Sequence, residues 1–488
     1  MATSLGSVGT ISSAGLGSGL DVASIVTQLM AIERRPLDQL ATQATGLKSE
    51  VSTYGKLQSY FSALRDKSNA LTTATLWGTT TATSADASVV TVSTGSNAAA
   101  GSYAITTTAL ARGQTVIAAA QPASTSTLNE GSLTIELGTY TGAPVSGFDP
   151  KVGSPPITVA ITAADLSLAS IRDKINAAGA GVVASIVTDS SGARLSIRSK
   201  DTGAENAFRI TASETVDDGV ATTGLSTLAY DAAGGASQMS SAQVAGNARA
   251  TINGIDVNSA SNTLNNVIDG LTINLIKESA TPVNVSVAAD TAGIKTRVTE
   301  FVSAFNDLAG YLHTQMAYNP DSKAGGALQG DQTAVSLQRA LRDVLNQAST
   351  ASATFTRLSD IGIAIKTDGT LETNGSKLDN ALGNLSELRK MLATDGVDSA
   401  SSGFARRWKN LSDLALGSGG AFESRTSSLN QRLAHNSKDQ DAMNQRLTLT
   451  EARLRAQYSA LDAKMAQLNG LSTYLTQQIT ALNKSNGN

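Results

Sequence analysis

Cysteine is absent from this chain of 488 residues, which excludes disulfide bonds, thiolate metal sites and cysteine nucleophiles. Aromatic residues make up only 4% of the sequence and charged residues only 16%, whereas roughly 25% charged residues is usual for a soluble domain. Small residues take their place, and glycine alone contributes 43. This composition favours β-rich modules and thin helical packing over an enzyme with a deep aromatic pocket.

A charge excess and a long apolar run are missing too. The chain has 37 Lys and Arg against 40 Asp and Glu, so its net charge of −3 does not indicate nucleic-acid binding. No run approaches the roughly 18 apolar residues that span a bilayer, so we expect no membrane insertion. The N-terminus has no basic segment followed by a compact apolar one, so a cleaved signal peptide is not predicted. Retention in the cytosol and export without a cleaved signal both remain open.

Catalytic motifs are not found. The sequence has two widely separated histidines and no zinc-protease, phosphate-loop or nucleophile-elbow motif. The glycine-rich stretch 15–19 lacks the preceding strand and the spacing of a dinucleotide site, and 217–218 and 321–331 lack calcium-loop spacing. We therefore expect no enzyme, no cofactor and no metal. An unrecognised enzymatic site in the β modules is a distant alternative.

The amino-terminal part has helical periodicity. Asp21 is a candidate helix cap, and Val22, Ile25, Leu29 and Ile32 follow at spacings of three and four. Pro36 lacks an N–H group, so it should break or restart the helix. A second segment then places apolar residues on one coiled-coil seam: Leu40, Leu47, Val51, Tyr54, Leu57, Phe61, Leu64 and Leu71.

Between about residues 80 and 290 the pattern changes to short alternating runs, which predict strands. These runs are 89–92, 103–106, 133–137, 157–161, 182–187, 194–197, 271–275 and 283–287. Asn253-Gly254 predicts a hairpin with a type I′ turn, because both residues tolerate positive φ. Leu168, Ile171 and Ile175 predict one short helix. The Gly-, Pro-, Ser- and Thr-rich segments 121–156 and 213–245 resemble long connections or module edges.

Helical periodicity returns after about residue 290. The stretch from Ile294 to Leu312 keeps one apolar face, and Leu337, Leu341 and Val344 define a second helix. Between 363–366 and 370–373, Asp368-Gly369 predicts another tight hairpin.

The carboxy-terminal residues hold the most regular pattern, a heptad repeat with one polar exception: Leu433, Gln440, Leu447, Leu454, Leu461, Leu468, Leu475 and Leu482. Tyr458, Met465 and Ile479 fill the companion position. A heptad repeat predicts a left-handed supercoil with a partner helix. Because Ala, Ser and Gln flank this seam, the helix should be marginal by itself.

Helices at both chain ends around a β insert predict an α+β multidomain fold, in which a discontinuous coiled-coil helical leg from both chain ends carries inserted antiparallel β-rich head domains. Residues 1–45 with 455–488 are expected to form terminal helices that are disordered in the free monomer. Residues 46–80 with 290–454 should form the leg, with a β-hairpin near 361–373. Two β-rich heads are predicted, one from 81–120 with 245–289 and one from 121–244.

The terminal apolar stripes indicate contacts with other molecules. They lie at chain ends, keep a heptad register and have little apolar area beside the seam, so burial against other subunits explains them better than an intramolecular core. The predicted subunit or filament interface consists of Ile25, Leu29, Ile32, Leu47, Val51, Leu454, Tyr458, Leu461, Met465, Leu468, Leu475, Ile479 and Leu482.

Several stretches, taken in their order along the chain, resemble the bacterial flagellar filament cap family, also called hook-associated protein 2. The stretches are 11–21, 29–37, 167–176 with Gly181-Val182, 250–255, 262–263, 268–272, 301–306, 328–331 and 368–372. The stretch 167–176 is also similar to a repeat shared by flagellins and hook-associated proteins. The resemblance covers nearly the whole chain and is weakest over 121–156 and 213–245.

The resemblance implies a non-enzymatic role outside the cell. Family members pass unfolded through the flagellar export channel without a cleaved signal, and an export chaperone is an implied partner. At the distal filament tip they form a homo-oligomeric ring, commonly a pentamer, with β domains as a plate and helices as legs. The ring keeps flagellin from leaking away and helps it fold and insert. The implied partners are other copies, flagellin, filament-tip or hook–filament junction proteins and, for some members, host mucin.

A second class of function remains open at this point. An adhesin that binds host mucin or surfaces, or a structural hook-associated filament protein, would also combine β modules with assembling helices. A cap is present in a few copies per filament and a filament subunit in thousands, so copy number separates the two.

Overall fold

The structure, a computed structural model, describes residues 21–234, 237–320 and 324–485. It divides into two compact units. The first contains the described residues up to Leu76 and those from Ala292 onward, and the second is Trp77–Thr291. Both chain ends therefore fold into one helical unit and the β segment is an insert, as predicted. The motif over 11–20 and the glycine-rich stretch lie outside the described residues.

The described helices are α1 (Val22–Glu33), α2 (Arg35–Thr72), α3 (Ala74–Gly78), α4 (Leu168–Ala178), α5 (Thr291–Met316), α6 (Gln332–Asn346), α7 (Gly375–Leu382), α8 (Leu385–Ala393), α9 (Phe404–Leu416) and α10 (Ala421–Ser485). Asp21 starts α1, since its side chain accepts a hydrogen bond from Ser24 N at 3.0 Å. The predicted restart at Pro36 is confirmed: Pro36 lies in the first turn of α2, where a missing N–H costs nothing.

The core of the helical unit forms where α2, α5, α9 and α10 meet. Trp408 of α9 packs against Phe301 and Phe305 of α5, with ring centroids 4.9 and 5.9 Å apart. Phe422 of α10 contacts Phe61 of α2 at 5.1 Å. The predicted seam of α2 is largely buried in this core, but α9, which supplies its largest buried side chain, was not predicted.

The strands of the described chain are β1 (Thr80–Ser84), β2 (Val90–Thr94), β3 (Gly101–Ala109), β4 (Thr115–Ile117), β5 (Gly131–Thr141), β6 (Gly147–Pro150), β7 (Ile157–Ile161), β8 (Val182–Asp189), β9 (Gly192–Ser199), β10 (Ala207–Glu214), β11 (Ser240–Gln243), β12 (Ala248–Ile252), β13 (Ile255–Ser259), β14 (Thr263–Asn265), β15 (Leu271–Leu275), β16 (Ser279–Ala289), β17 (Tyr318–Asn319), β18 (Ala324–Gly325), β19 (Ile363–Ile365) and β20 (Leu371–Thr373). Each of the eight predicted strands overlaps one of them.

The β unit contains two separate hydrophobic clusters. The sheets β1-β16-β3-β12-β13 and β14-β15-β2 surround one cluster, whose buried residues run over 89–111 and 248–287. The other cluster lies between two further sheets and helix α4, and its buried residues run over 116–239. One of these sheets has the strand order β10-β5-β6, with β7 also paired to β5, and the other has the order β11-β4-β9-β8. All these strand pairs are antiparallel. We propose that these two clusters correspond to the two head domains of the insert.

Both predicted hairpins are present. Asn253 and Gly254 have φ of 49° and 82°, as a type I′ turn between β12 and β13 requires. Between β19 and β20 only Gly369 has positive φ, at 84°, because the turn is longer and Gly369 N donates to Lys366 O.

Segments 121–156 and 213–245, which were predicted as long connections or module edges, are not plain connections, although they lie toward the two ends of the second cluster. Segment 121–156 contains all of β5 and β6, and segment 213–245 contributes buried Leu225, Leu228, Tyr230 and Met239 to the second cluster. A few apolar anchors are enough to pack a segment whose average composition is that of a loop.

Candidate assembly surface

The two ends of the chain are joined as an antiparallel helix pair. Asn436 of α10, which is buried, donates from Nδ2 to the backbone oxygen of Leu40 in α2 at 3.0 Å. Further along, Arg425 of α10 lies 3.2 Å from Glu50 of α2. Residue numbers rise along α2 while those of its partners fall along α10. The polar contacts fix this register, because any sliding would leave Asn436 buried without its acceptor.

A buried polar cluster holds the same pair to the start of α6. The Asp331 carboxylate accepts from the Tyr54 hydroxyl at 2.6 Å and from Arg425 Nε at 2.9 Å, and it caps α6 by accepting from the N–H groups of Thr333 and Ala334. Burial opposes ionisation of Asp331. The hydrogen bonds and the Arg425 charge outweigh it and hold the pKa of the carboxyl below its ordinary value. The cluster therefore links three segments distant in sequence.

Helix α1 covers part of the heptad ladder of α10. Its buried residues Val22, Val26 and Met30 form one cluster with Leu447, and partly buried Met443, Leu454 and Tyr458 pack against it. Ile25, Leu29 and Ile32, which were predicted as an interface to other molecules, lie outside this cluster. Because α1 is apolar on two adjoining faces, periodicity did not identify which one α10 covers.

The second apolar face of α1 remains available. Ile25 and Leu29 are half-buried, and Ile32 is 58% exposed. These residues were predicted as interface, and the structure places them on one side of α1, beside the face that contacts α10.

Beyond Tyr458 the ladder of α10 is uncovered. The exposed fractions are 45% for Leu461, 59% for Leu468, 51% for Leu475, 58% for Ile479 and 58% for Leu482, and Met465 is half-buried. We call Leu461, Met465, Leu468, Leu475 and Ile479 the terminal stripe. At 1.5 Å rise per residue the stripe is roughly 27 Å long.

Two further residues widen the terminal stripe. Leu471 and Tyr474 are 54% and 57% exposed. They do not occupy heptad positions of the ladder, but Leu471 follows Leu468 by three residues and so lies next to it on the helix. No charged residue occurs from 465 to 483, so this surface is apolar with a neutral polar border.

Two predicted interface residues of α2 lie elsewhere. Leu47 is only 7% exposed, so it belongs to the packing of the chain itself, which corrects its assignment to an intersubunit surface. Val51, one turn further on, is half-buried. The exposed residues of the predicted interface therefore lie on α1 and on the carboxy-terminal part of α10.

Within the described ranges, no group of three His, Cys, Asp or Glu side chains is placed to hold a metal ion. Of the helices described, none has both the length and the hydropathy to span a bilayer. A groove of about 770 Å³ runs between α2 and α10, and its lining is mainly polar, with Gln43, Arg432 and Asn436.

Comparison with known families gives three matches along the chain. The description "Flagellar hook-associated protein 2 N-terminus" matches residues 18–114, and "Flagellar hook-associated protein 2 C-terminus" matches 245–470. Between them, "Flagellin hook IN motif" matches 133–201, a range that includes the stretch 167–176.

Individual relatives cover almost the entire chain. Flagellar hook-associated protein 2 of Escherichia coli K12 is 32% identical over 482 residues, which is 96% of this chain and 98% of the relative. The B-type flagellar hook-associated protein 2 of Pseudomonas aeruginosa is 29% identical, over 97% of this chain and 98% of the relative.

A solved structure has the same fold over most of the chain. The crystal structure of the flagellar cap protein FliD D1-D2-D3 domains from Escherichia coli is similar with a TM-score of 0.57 and 29% identity, over 78% of this chain and 99% of that one. The names of these proteins are those of structural flagellar components. They give no support to the adhesin or filament-subunit alternative.

Proposed function

The chain belongs to the flagellar hook-associated protein 2 family, and from this membership we propose that it caps the distal end of the flagellar filament. Several copies form a ring there, commonly of five subunits in this family. The ring retains exported flagellin and promotes its folding and insertion. In this proposal the protein is secreted without a cleaved signal peptide, has no enzymatic activity and acts through contacts with other proteins.

The main support for the proposal is that only part of the heptad ladder of α10 is buried by the rest of the chain. Helix α1 shields the ladder at Leu447, Leu454 and Tyr458, but the terminal stripe stays exposed. Isolated apolar residues are common on protein surfaces, whereas a heptad stripe along one helix is a surface built for another helix. We assign the terminal stripe to contacts with neighbouring copies or with subunits at the filament tip.

The stripe fits a contact that must release and re-form as subunits are added. Each of its side chains is about half exposed, so complete burial contributes about 1 kcal/mol per side chain, or about 5 kcal/mol in total. Association itself costs roughly 4–15 kcal/mol in lost translational and rotational freedom, so this gain leaves little net affinity for a single contact. One leg thus binds weakly, and several legs on one ring bind together with much higher avidity.

Each segment has a place in this proposal. Residues 1–45 with 455–488 serve export and docking, 46–80 with 290–454 form the leg, and the two modules 81–120 with 245–289 and 121–244 form the plate. The partners are other copies of the chain, flagellin, filament-tip or hook–filament junction proteins and a chaperone during export. The absence of cysteine suits threading, since no disulfide can cross-link the unfolded chain.

The test introduces a negative charge at two positions of the terminal stripe. Leu461→Asp and Leu468→Asp, in cells that lack the native copy, should shorten filaments and release flagellin monomers into the medium. The matched control is Leu449→Asp: this leucine is 73% exposed on the same helix but off the heptad seam. It should leave filament length and secreted flagellin unchanged.

The outcome that contradicts the proposal is equally specific. Normal filaments with both stripe variants would show that the stripe does not hold the cap. Circular dichroism of the purified variants should match that of the native chain, because these side chains are exposed. A fold defect would therefore be recognised before the growth assay is interpreted.

A further inference from the structure

Two apolar helix faces of the helical unit remain partly or largely exposed among the residues that the structure describes. One consists of Ile25, Leu29 and Ile32, which we call the outer face of α1, and the other is the terminal stripe of α10. The proposed capping function assigns the terminal stripe to a neighbouring molecule without naming the surface that it contacts there. Each copy of the chain therefore presents two different surfaces of the same chemical kind.

The two faces lie on helical segments without charge. Residues 22–32, which contain the outer face of α1, include no charged residue, and neither do residues 465–483, which contain most of the terminal stripe. Charged residues stand only at the borders, with Asp21 and Glu33 around the first segment and Lys464 before the second. A contact between the two segments thus buries no charge without a partner, which would be costly.

The fold already contains a contact of the kind that these faces would make. Within one copy, α1 packs its inner residues Val22, Val26 and Met30 on the ladder of α10 at Leu447, and Leu454 packs against the same cluster. Past this contact the ladder continues with the same seven-residue spacing, so the terminal stripe offers a second helix the leucine pattern that α1 covers. The terminal stripe is therefore the direct continuation of an existing interface between α1 and α10.

The symmetry of a ring favours a partner other than an identical stripe. If the terminal stripe paired with the terminal stripe of a second copy, the contact would be isologous and would close as a two-fold dimer. A ring with one kind of contact needs two different surfaces on every copy, because each copy faces two neighbours. The outer face of α1 and the terminal stripe are two such surfaces.

We propose that the outer face of α1 in one copy docks on the terminal stripe of the next copy, an inference that rests on the proposed capping function. Ile25 and Ile32 are seven residues apart, or roughly 10 Å along the helix, so the outer face covers about a third of the stripe. Such a small contact is weak by itself. Closure of a ring, in which every copy makes two of these contacts, supplies the avidity.

Cysteine cross-linking of the full chain tests this contact, because the native chain has no cysteine and an introduced one is its only thiol. A chain with Ile32→Cys is mixed with a chain that carries cysteine at Leu461, Leu468 or Leu475, so no register is assumed. Under mild oxidation we expect one of the mixed disulfides to exceed either symmetric disulfide about tenfold, since docking raises the local concentration of the two thiols. Leu449→Cys, at a position that is 73% exposed on α10 but off the seam, is the matched control.

A charge on the outer face separates docking from random collision. When Ile25→Asp is added to the Ile32→Cys chain, the mixed disulfide should fall to the level of the Leu449→Cys control, because the docked face would then bury a charge. Circular dichroism of each variant verifies its fold. Three alternative positions on the terminal stripe keep the test decisive if one of these variants fails to fold.

Other occupants of the terminal stripe would give different results. Stripe-to-stripe pairing would make the symmetric disulfide of a stripe cysteine predominate. If residues 1–20 of the same chain covered the stripe, Leu468→Cys in dilute protein would react with a thiol reagent roughly tenfold more slowly than Leu449→Cys. Either result, or a mixed disulfide no more abundant than with Leu449→Cys, would overturn the inference. Because these measurements use purified protein, they can fail while the capping function, tested by filament growth, still holds.

Discussion

At the scale of single residues, side-chain amides repeatedly take the place of a neighbouring strand. In four cases one Asn or Gln bonds both the N–H and the C=O group of a single residue: Asn176 with Ala184, Asn262 with Ala111, Gln114 with Phe208 and Asn306 with Leu371. The planar amide offers a donor and an acceptor with the spacing of a peptide group. All three asparagines lie in the stretches that carried the family resemblance, so those stretches contain structural residues.

Asn306 provides a direct test of this role. Leu371 N donates to its Oδ1 at 2.6 Å, and its Nδ2 donates to Leu371 O at 2.8 Å. Asn306→Ala should destabilise the 363–373 hairpin by about 2 kcal/mol, because it leaves two backbone groups unpaired. Hydrogen exchange of the hairpin amides should be faster than in the native chain, and Asn306→Asp, which keeps the acceptor, should lie between. Unchanged exchange in Asn306→Ala would refute the role.

Asp331 carries the second prediction at this scale. Replacing it by Asn removes the charge that Arg425 and the capping N–H groups stabilise, so we expect a loss of about 3 kcal/mol in the free energy of unfolding at pH 7. Urea unfolding followed by the helical circular dichroism signal measures it. Asp307→Asn, at an exposed position on α5, is the control.

The pH dependence of this loss follows from the depressed pKa of Asp331. The unfolded chain protonates this carboxyl near pH 3.9, and the folded chain does so only at lower pH. The stabilisation is therefore complete above about pH 5 and disappears as the pH falls through the folded pKa. The difference between native and Asp331→Asn should shrink below about pH 4, and a constant difference across that range would contradict the assignment.

At the scale of elements, the two apolar faces of α1 have different roles: one packs against α10 and stabilises the fold, and we expect the other to contact neighbouring molecules. Met30→Asp should lower the stability of the helical unit by about 3 kcal/mol, because it buries a charge against α10. Ile32→Asp should leave the melting temperature unchanged and weaken self-association instead. Thermal unfolding and sedimentation velocity distinguish the two effects. Equal effects of both variants on stability would refute the division.

At the scale of the whole molecule, the β insert and the helical ends belong to different compact units. Removing residues 1–40 or 455–488 should therefore leave the β unit folded, as judged by strand circular dichroism, and should abolish capping. Immunogold labelling of cells with the full chain should mark only the filament tip. Normal filament growth after either truncation, or labelling along the entire filament, would contradict the proposed function.

The discontinuous leg was predictable because its signal is repetitive. The seam from Leu40 to Leu71 and the ladder from Leu433 to Leu482 repeat over many turns, so both helices could be recognised from spacing alone. Helix α9 was missed because its key residue, Trp408, is a single aromatic in a short segment.

The sequence by itself determined the long helices at both ends of the chain, the strands with a clear alternating pattern, and the apolar ladders that run along the terminal helices. Only the tertiary structure decided which part of those ladders is covered: α1 turns Val22, Val26 and Met30 toward Leu447 and leaves the terminal stripe exposed. The physical reason is that periodicity depends on neighbours along one helix, whereas burial depends on which other helix lies against it. Which helix lies against which depends in turn on the register of α2 and α10. Asn436 and Asp331 fix that register through contacts between residues that are far apart in the chain.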